Sequence, residues 1–178
     1  ALVKPFILLA TRADDAPADA EYEAFLIRTG LRERDLCRVR LESEPMPDID
    51  MDAYSGIMVG GSPFNTSTPE DVKSDTQRRV EAEFTALLDR VVAADFPFLG
   101  ACYGIGTLAR HQGAVIDATY AEEVGAPEIT LTAAGLADPL CAGITPTFQA
   151  FVAHNDAIFT PPPGAVVLAT SQPCPVQM

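Results

Sequence analysis

Short apolar runs at residues 5–10, 54–59 and 96–101 each stop at polar or glycine residues, and segments with a helical apolar stripe lie between them. Runs this continuous are read as strands buried on both faces, which is the signature of parallel rather than one-sided sheet. Tyr22, Phe25, Leu26 and Thr29 share one face of a helix that Gly30 is placed to end. Val80, Phe84, Leu87, Leu88 and Val91 form the stripe of a longer helix, with Ser74 and Gln77 spaced as a capping box. Residues 36–41 alternate apolar and charged side chains, as a strand nearer a sheet edge does, and residues 103–111 have the composition of a helix ended by Gly113. The alternation predicts an α/β fold with a mostly parallel sheet and helices on both faces, whose sites form beyond the carboxyl ends of the strands.

The second half differs. Residues 128–132, 147–152 and 165–169 read as strands between proline- and glycine-containing turns, with Pro161-Pro162-Pro163 as a rigid turn. They are expected to add strands and to build one wall of the site. At 178 residues the chain is read as a single domain.

Twenty-five acidic against twelve basic residues give a formal charge of −13, which repels a phosphate backbone and argues against nucleic-acid binding. Charges, prolines or glycines interrupt every apolar stretch, so no membrane span is expected, and the first residues lack a secretory signal. A cytoplasmic location is the expectation. The four cysteines, Cys37, Cys102, Cys141 and Cys174, form no C-x-x-C pair, and the histidines are His111 and His154 alone, so neither a metal site nor a disulfide framework is expected.

Cys102 stands where a strand gives way to a helix, in Gly100-Ala101-Cys102-Tyr103-Gly104. A nucleophile on such a turn is exposed above the sheet, small neighbours let the backbone bend, and the helix N-terminus favours the reactive thiolate. The Tyr103 amide, next in sequence, is aimed where a tetrahedral oxyanion would form. Gly60-Gly61-Ser62-Pro63, after the third strand, can approach a ligand closely; Pro63 has no N–H, which leaves Ser62 or Gly61 as the second oxyanion donor.

These residues resemble the class I glutamine amidotransferases, in particular the glutaminase domain of GMP synthase and its stand-alone relatives. Residues 97–104 match the family's proline-led strand and G-x-C-x-G-x-Q motif, with Gly106 where the family has glutamine. Gly60-Gly61-Ser62-Pro63 resembles its Gly-Gly-Pro oxyanion turn. Glu123-Val124-Gly125 resembles its E-x-G segment, Asp138-Pro139-Leu140 its D-P-L turn, and His154-Asn155-Asp156 its H-G-D segment. The resemblance implies a flavodoxin-like three-layer fold and a glutaminase without cofactor. In it Cys102 attacks glutamine, ammonia leaves for a synthetase or amidating partner, and water hydrolyses the thioester. Gly60, Gly104, His154, Asn155 and Asp156 would then line the substrate. The family's base is the histidine of an H-P-E motif, oriented by the glutamate; these residues contain no such motif, and by position it is expected shortly after Met178.

Plainer readings stand beside these. Cys37 and Cys141 read as small buried hydrophobes, Cys174 as an exposed or tail thiol, and His111 as a helix C-terminal residue favoured by the dipole. Glu21 with Glu23, and Glu81 with Glu83, read as solvated helix faces. Two other functions fit: a catalytically inactive amidotransferase-like domain that binds without turnover, and a hydrolase of the related intracellular cysteine protease and chaperone superfamily, for which no acidic partner to Cys102 is identified.

Overall fold

The computed structural model describes residues 4–178, which divide into two compact units, the first running to Leu108 and the second from Ala109 to Met178. In the first, β1 (Phe6–Ala10), β2 (Leu36–Arg40), β3 (Gly56–Val59) and β4 (Phe98–Gly100) form one sheet in the order β2-β1-β3-β4, every pair parallel. This is the doubly wound order in which the chain reverses direction between β1 and β3 and leaves a crevice beyond their carboxyl ends.

Alternation along the strands divides the core. Ile7, Leu9, Ile57 and Val59 face α2 (Asp75–Ala93) and meet its stripe of Val80, Phe84, Leu87, Leu88 and Val91. Leu8, Leu36 and Met58 point the other way, onto Tyr22, Phe25 and Leu26 of α1 (Asp15–Thr29). Helices therefore cover both faces, as the apolar runs predict. Gly30 ends α1 in the left-handed region at φ 70°, a conformation glycine adopts without a Cβ clash. β2 takes the edge position expected of its alternating sequence; β4 lies at the other end, where Leu99 is 46% exposed.

Two expectations about α2 are corrected. Ser74 caps α2 by accepting from the Gln77 amide at 3.1 Å, but the Gln77 side chain does not return to the helix start. It donates to the Asn65 carbonyl at 2.9 Å and to Glu81 at 2.8 Å, so only half the capping box forms. Glu81 is not on a solvated face, because it also accepts from the buried Lys73 ammonium at 2.6 Å.

The second unit follows from the end of α3 (Tyr103–His111) and is built of short antiparallel pieces. β5 (Val115–Asp117) pairs with β10 (Ala157–Thr160), β6 (Glu122–Gly125) with β9 (Val152–His154), and β7 (Glu128–Leu131) lies between β8 (Thr147–Gln149) and β11 (Ala169–Ser171). The strand expected at 147–152 is thus two strands in different sheets. The apolar run at 165–169 is strand only at Ala169, because the backbone amides of Leu168 and Ala169 bond the Met178 carbonyl instead of a long neighbour. A short α4 (Ala133–Ala137), capped by Thr132, was not expected; it packs so closely that a Cβ on Gly135 would strike the Leu168 carbonyl. Among the described residues, no helix is long and apolar enough to cross a membrane.

Candidate active site

Cys102 stands between β4 and α3 with φ 54°, left-handed backbone that costs a non-glycine residue about 1–2 kcal/mol. Close packing imposes it. The Ala101 amide bonds the Val59 carbonyl at 2.9 Å, and the Gly104 amide bonds the Gly60 carbonyl at 3.3 Å, so the turn is fastened to β3 on both sides of the cysteine. A Cβ on Gly104 would lie 2.6 Å from the Val59 carbonyl oxygen, and one on Gly100 would collide with the backbone of Gly104. The glycines flanking Cys102 are therefore required by backbone meeting backbone, and the cysteine is left exposed at the top of the sheet. Tyr103 turns inward, buried, with its ring edge-on to Phe64 at 6.2 Å and Phe84 at 6.3 Å. Its side chain anchors the turn in the α2-facing core, while its backbone remains next to the sulfur.

The Gly60-Gly61 turn is packed against an ion pair. Glu21, from α1, has a side chain only 11% exposed, and its Oε1 accepts from the Arg12 guanidinium at 3.0 Å and from the Gly61 amide at 2.8 Å. The carboxylate lies where a Gly60 Cβ would be, 2.6 Å away, and the Arg12 guanidinium occupies the corresponding place at Gly61. Thr11 donates its hydroxyl to the Gly61 carbonyl at 3.3 Å, and the Ser62 hydroxyl accepts from the Phe64 amide at 3.0 Å. Glu21 is thus no solvated helix residue, contrary to the sequence reading. The second carboxylate oxygen is buried without a partner, a loss of about 1–3 kcal/mol against a satisfied one. A charged residue on a helix carries no local sign of such a role; the spacing from Arg12 is the one hint available.

In the second unit, His154 sits directly opposite Glu122 across the β6–β9 pair. Its Nε2 is 2.8 Å from a Glu122 oxygen that also accepts from Gln177 at 2.7 Å, and its Nδ1 is 2.9 Å from the Asp156 carbonyl. Carbonyl and carboxylate only accept, so holding both contacts requires a proton on each ring nitrogen, or one on the carboxylate. Neither nitrogen is turned to a ligand; the imidazole fixes the turn through Asn155 and Asp156. Cys174 is nearby and 1% exposed, which corrects the reading of it as an exposed thiol; Cys37, by contrast, is exposed, and Cys141 is buried as expected. Burial pushes the Cys174 thiol up and the Glu122 charge adds a little to that, against an opposing backbone hydrogen bond from Val176. Glu122, His154 and Cys174 bring one ligand atom each to within 4.8 Å of one another. They are the donor types zinc takes, although the carboxylate and imidazole are engaged with one another and with Gln177.

A profile of the family described as "Glutamine amidotransferase class-I" matches residues 19–177. A GMP synthase [glutamine-hydrolyzing] of Xanthomonas oryzae pv. oryzae is 29% identical over 126 residues, 68% of this chain and 21% of the relative. That of Thermus thermophilus is 26% identical over 132 residues, 74% of this chain and 23% of the relative. The chain therefore spans about a fifth of the length of these relatives. Among solved structures, a glutamine amidotransferase of Thermotoga maritima superposes with a TM-score of 0.76 at 17% identity, covering 98% of this chain and 70% of the other. One of Methylobacillus flagellatus gives 0.71 at 21% identity, covering 98% and 64%. At these identities the two structures establish the shared fold.

Proposed function

Because the chain belongs to the class-I glutamine amidotransferases, we propose that it hydrolyses the side-chain amide of glutamine, with Cys102 as nucleophile, and supplies ammonia to a synthetase or amidating partner. One observation carries the reading: an exposed cysteine held at positive φ between a parallel strand and a helix, on a turn whose glycines admit no side chain.

The Cys102 sulfur forms a bond to the amide carbon with its lone pair, and the π pair of the C=O bond passes to the oxygen. The resulting negative charge is received by the Tyr103 amide and by one from the turn at Gly61 or Ser62. Collapse re-forms the C=O bond and breaks the C–N bond, the NH2 group taking up a proton to leave as ammonia. Water then adds to the thioester in the same way and releases the thiol. An elbow that holds sulfur and amide together before substrate arrives lowers the entropic cost of the attack. Gly60 and Gly104 keep the backbone close around the reacting group, and the His154-Asn155-Asp156 turn receives the amino-acid end of glutamine. The resemblance gives the proton transfers to the histidine and glutamate of an H-P-E motif, which these 178 residues do not contain, so the test uses the full-length protein.

A chloroketone analogue of glutamine is expected to label Cys102 there, with ammonia released from glutamine itself. Both are lost in Cys102→Ser, the hydrolysis by at least about 10³-fold; labelling that persists in the variant removes the assigned nucleophile. The alternative, a domain that binds glutamine without turnover, draws support from Gly106 where the family has glutamine. It predicts saturable glutamine binding with no ammonia.

A further inference from the structure

We infer that Glu21 and Thr11 are positioning residues that aim the Ser62 amide, and not that of Gly61, at the oxyanion formed at Cys102. The inference rests on the glutaminase reading and goes beyond it by choosing the second donor and naming what orients it.

The argument is one of peptide planes. Every described peptide bond is trans, so the C=O and N–H of one peptide unit point in opposite directions. The Gly60 carbonyl accepts from Gly104, at the start of the nucleophile's helix. The amide of that same unit belongs to Gly61 and therefore points away from the elbow, where it donates to Glu21 at 2.8 Å. An N–H already committed to a carboxylate offers little to a second anion. The next unit is turned the other way. Its carbonyl, on Gly61, accepts from the Thr11 hydroxyl, which extends from β1. Its amide, on Ser62, consequently points away from β1. In the order β2-β1-β3-β4, that is the side on which β4 carries Cys102.

Two side chains from the β1 side thus set two successive peptide planes. Glu21 sits in the crevice between the carboxyl ends of β1 and β3, where folds of this order ordinarily bind ligands. Here the protein's own ion pair fills the crevice, and Gly60 and Gly61 lack side chains because the carboxylate and guanidinium occupy their places. The partnerless second oxygen of Glu21 is a cost to folding without return in stability. A positional role explains why a carboxylate stands there.

The test measures glutamine hydrolysis by the full-length protein. Glu21→Ala is expected to lower kcat about 10–100-fold with KM within about threefold, as a misaimed group does, while Glu21→Gln, which keeps an oxygen for the Gly61 amide, retains most of kcat. Ser62→Pro deletes the amide hydrogen and is expected to cost about 10²–10³-fold in kcat. Unchanged kcat in Glu21→Ala overturns the inference. So does a rise, which would mean that Gly61 is the donor and Glu21 its competitor. If the unaltered protein neither hydrolyses glutamine nor is labelled at Cys102, the glutaminase reading fails by itself, and hydrogen exchange of the Gly61 amide decides the rest. Slow exchange that quickens in Glu21→Ala then upholds the positioning of the turn, and equal rates in the two proteins refute it.

Discussion

The two units hold themselves together by different means. The first buries two apolar faces of one parallel sheet beneath α1 and α2, with partly buried ion pairs at the strand ends and beside α2. The second has three small antiparallel sheets and a core of Ile129, Leu131, Cys141 and Ala169, beside a network of side-chain hydrogen bonds among Glu122, His154, Ser171 and Gln177. Phe151 beside β9 is 91% exposed and Val124 in β6 84%, so this ribbon derives little from apolar burial. Cys102, the proposed nucleophile, thus sits on a turn where backbone meets backbone, and the proposed substrate turn on a ribbon held by side-chain polar contacts. Rigidity matters more where sulfur and amide must be aligned than where a ligand's end is held.

That contrast can be broken by substitution. Phe84→Ala, at the centre of the α2-facing core and against the Tyr103 ring, is expected to cost about 3–5 kcal/mol. Hydrogen exchange should quicken in β1 and β3 first; an equal loss of protection in β7 and β11 would mean that the two units unfold as one.

Glu122→Gln is expected to cost about 2–3 kcal/mol, since it weakens a charge-assisted bond to His154 and disturbs Gln177. Its effect should be confined to β6, β9 and the residues around Cys174. The raised, buried thiol there supplies the readout: Cys174 is expected to resist iodoacetamide in the folded protein at pH 8, and the exposed Cys37 and Cys102 to react. Because its folded titration lies above the unfolded one, this thiol's contribution to stability is complete below the unfolded value and is lost as pH rises through the folded one. Reaction of Cys174 in Glu122→Gln at the pace of Cys37 would show that the polar network keeps the thiol covered.

Gly104→Ala places a Cβ against β3 backbone, which cannot yield as a side chain can, and is expected to cost about 1–3 kcal/mol. Gly125→Ala in the polar ribbon meets nothing closer than 3.7 Å and should be nearly neutral. Comparable losses at both positions, measured by urea unfolding, would remove the distinction drawn between the units. Ser74→Ala is expected to cost about 1 kcal/mol for the lost cap of α2.

Much of the first unit was legible in the residues. Continuous apolar runs, helical stripes and the glycines at positions 30, 60, 61, 100 and 104 located β1, β3, β4, α1, α2 and the elbow, because each signal is local and has one cheap structural solution. The second unit was less so. Residues 147–152 look like one strand, yet they serve two sheets, and residues 165–168 are apolar yet irregular; short antiparallel pieces are selected by partners far along the chain.

From its sequence alone, then, this protein settled its fold class, its family resemblance and the position of Cys102 at a strand-to-helix bend, since periodicity and missing side chains act over a few residues. The tertiary structure alone decided that Glu21 is buried against Gly61, forty positions away, that Cys174 is covered, and which way the peptides after β3 face. Those outcomes depend on what folding brings alongside a group, and a carboxylate on a helix reads the same in sequence whether it will meet water or a backbone amide.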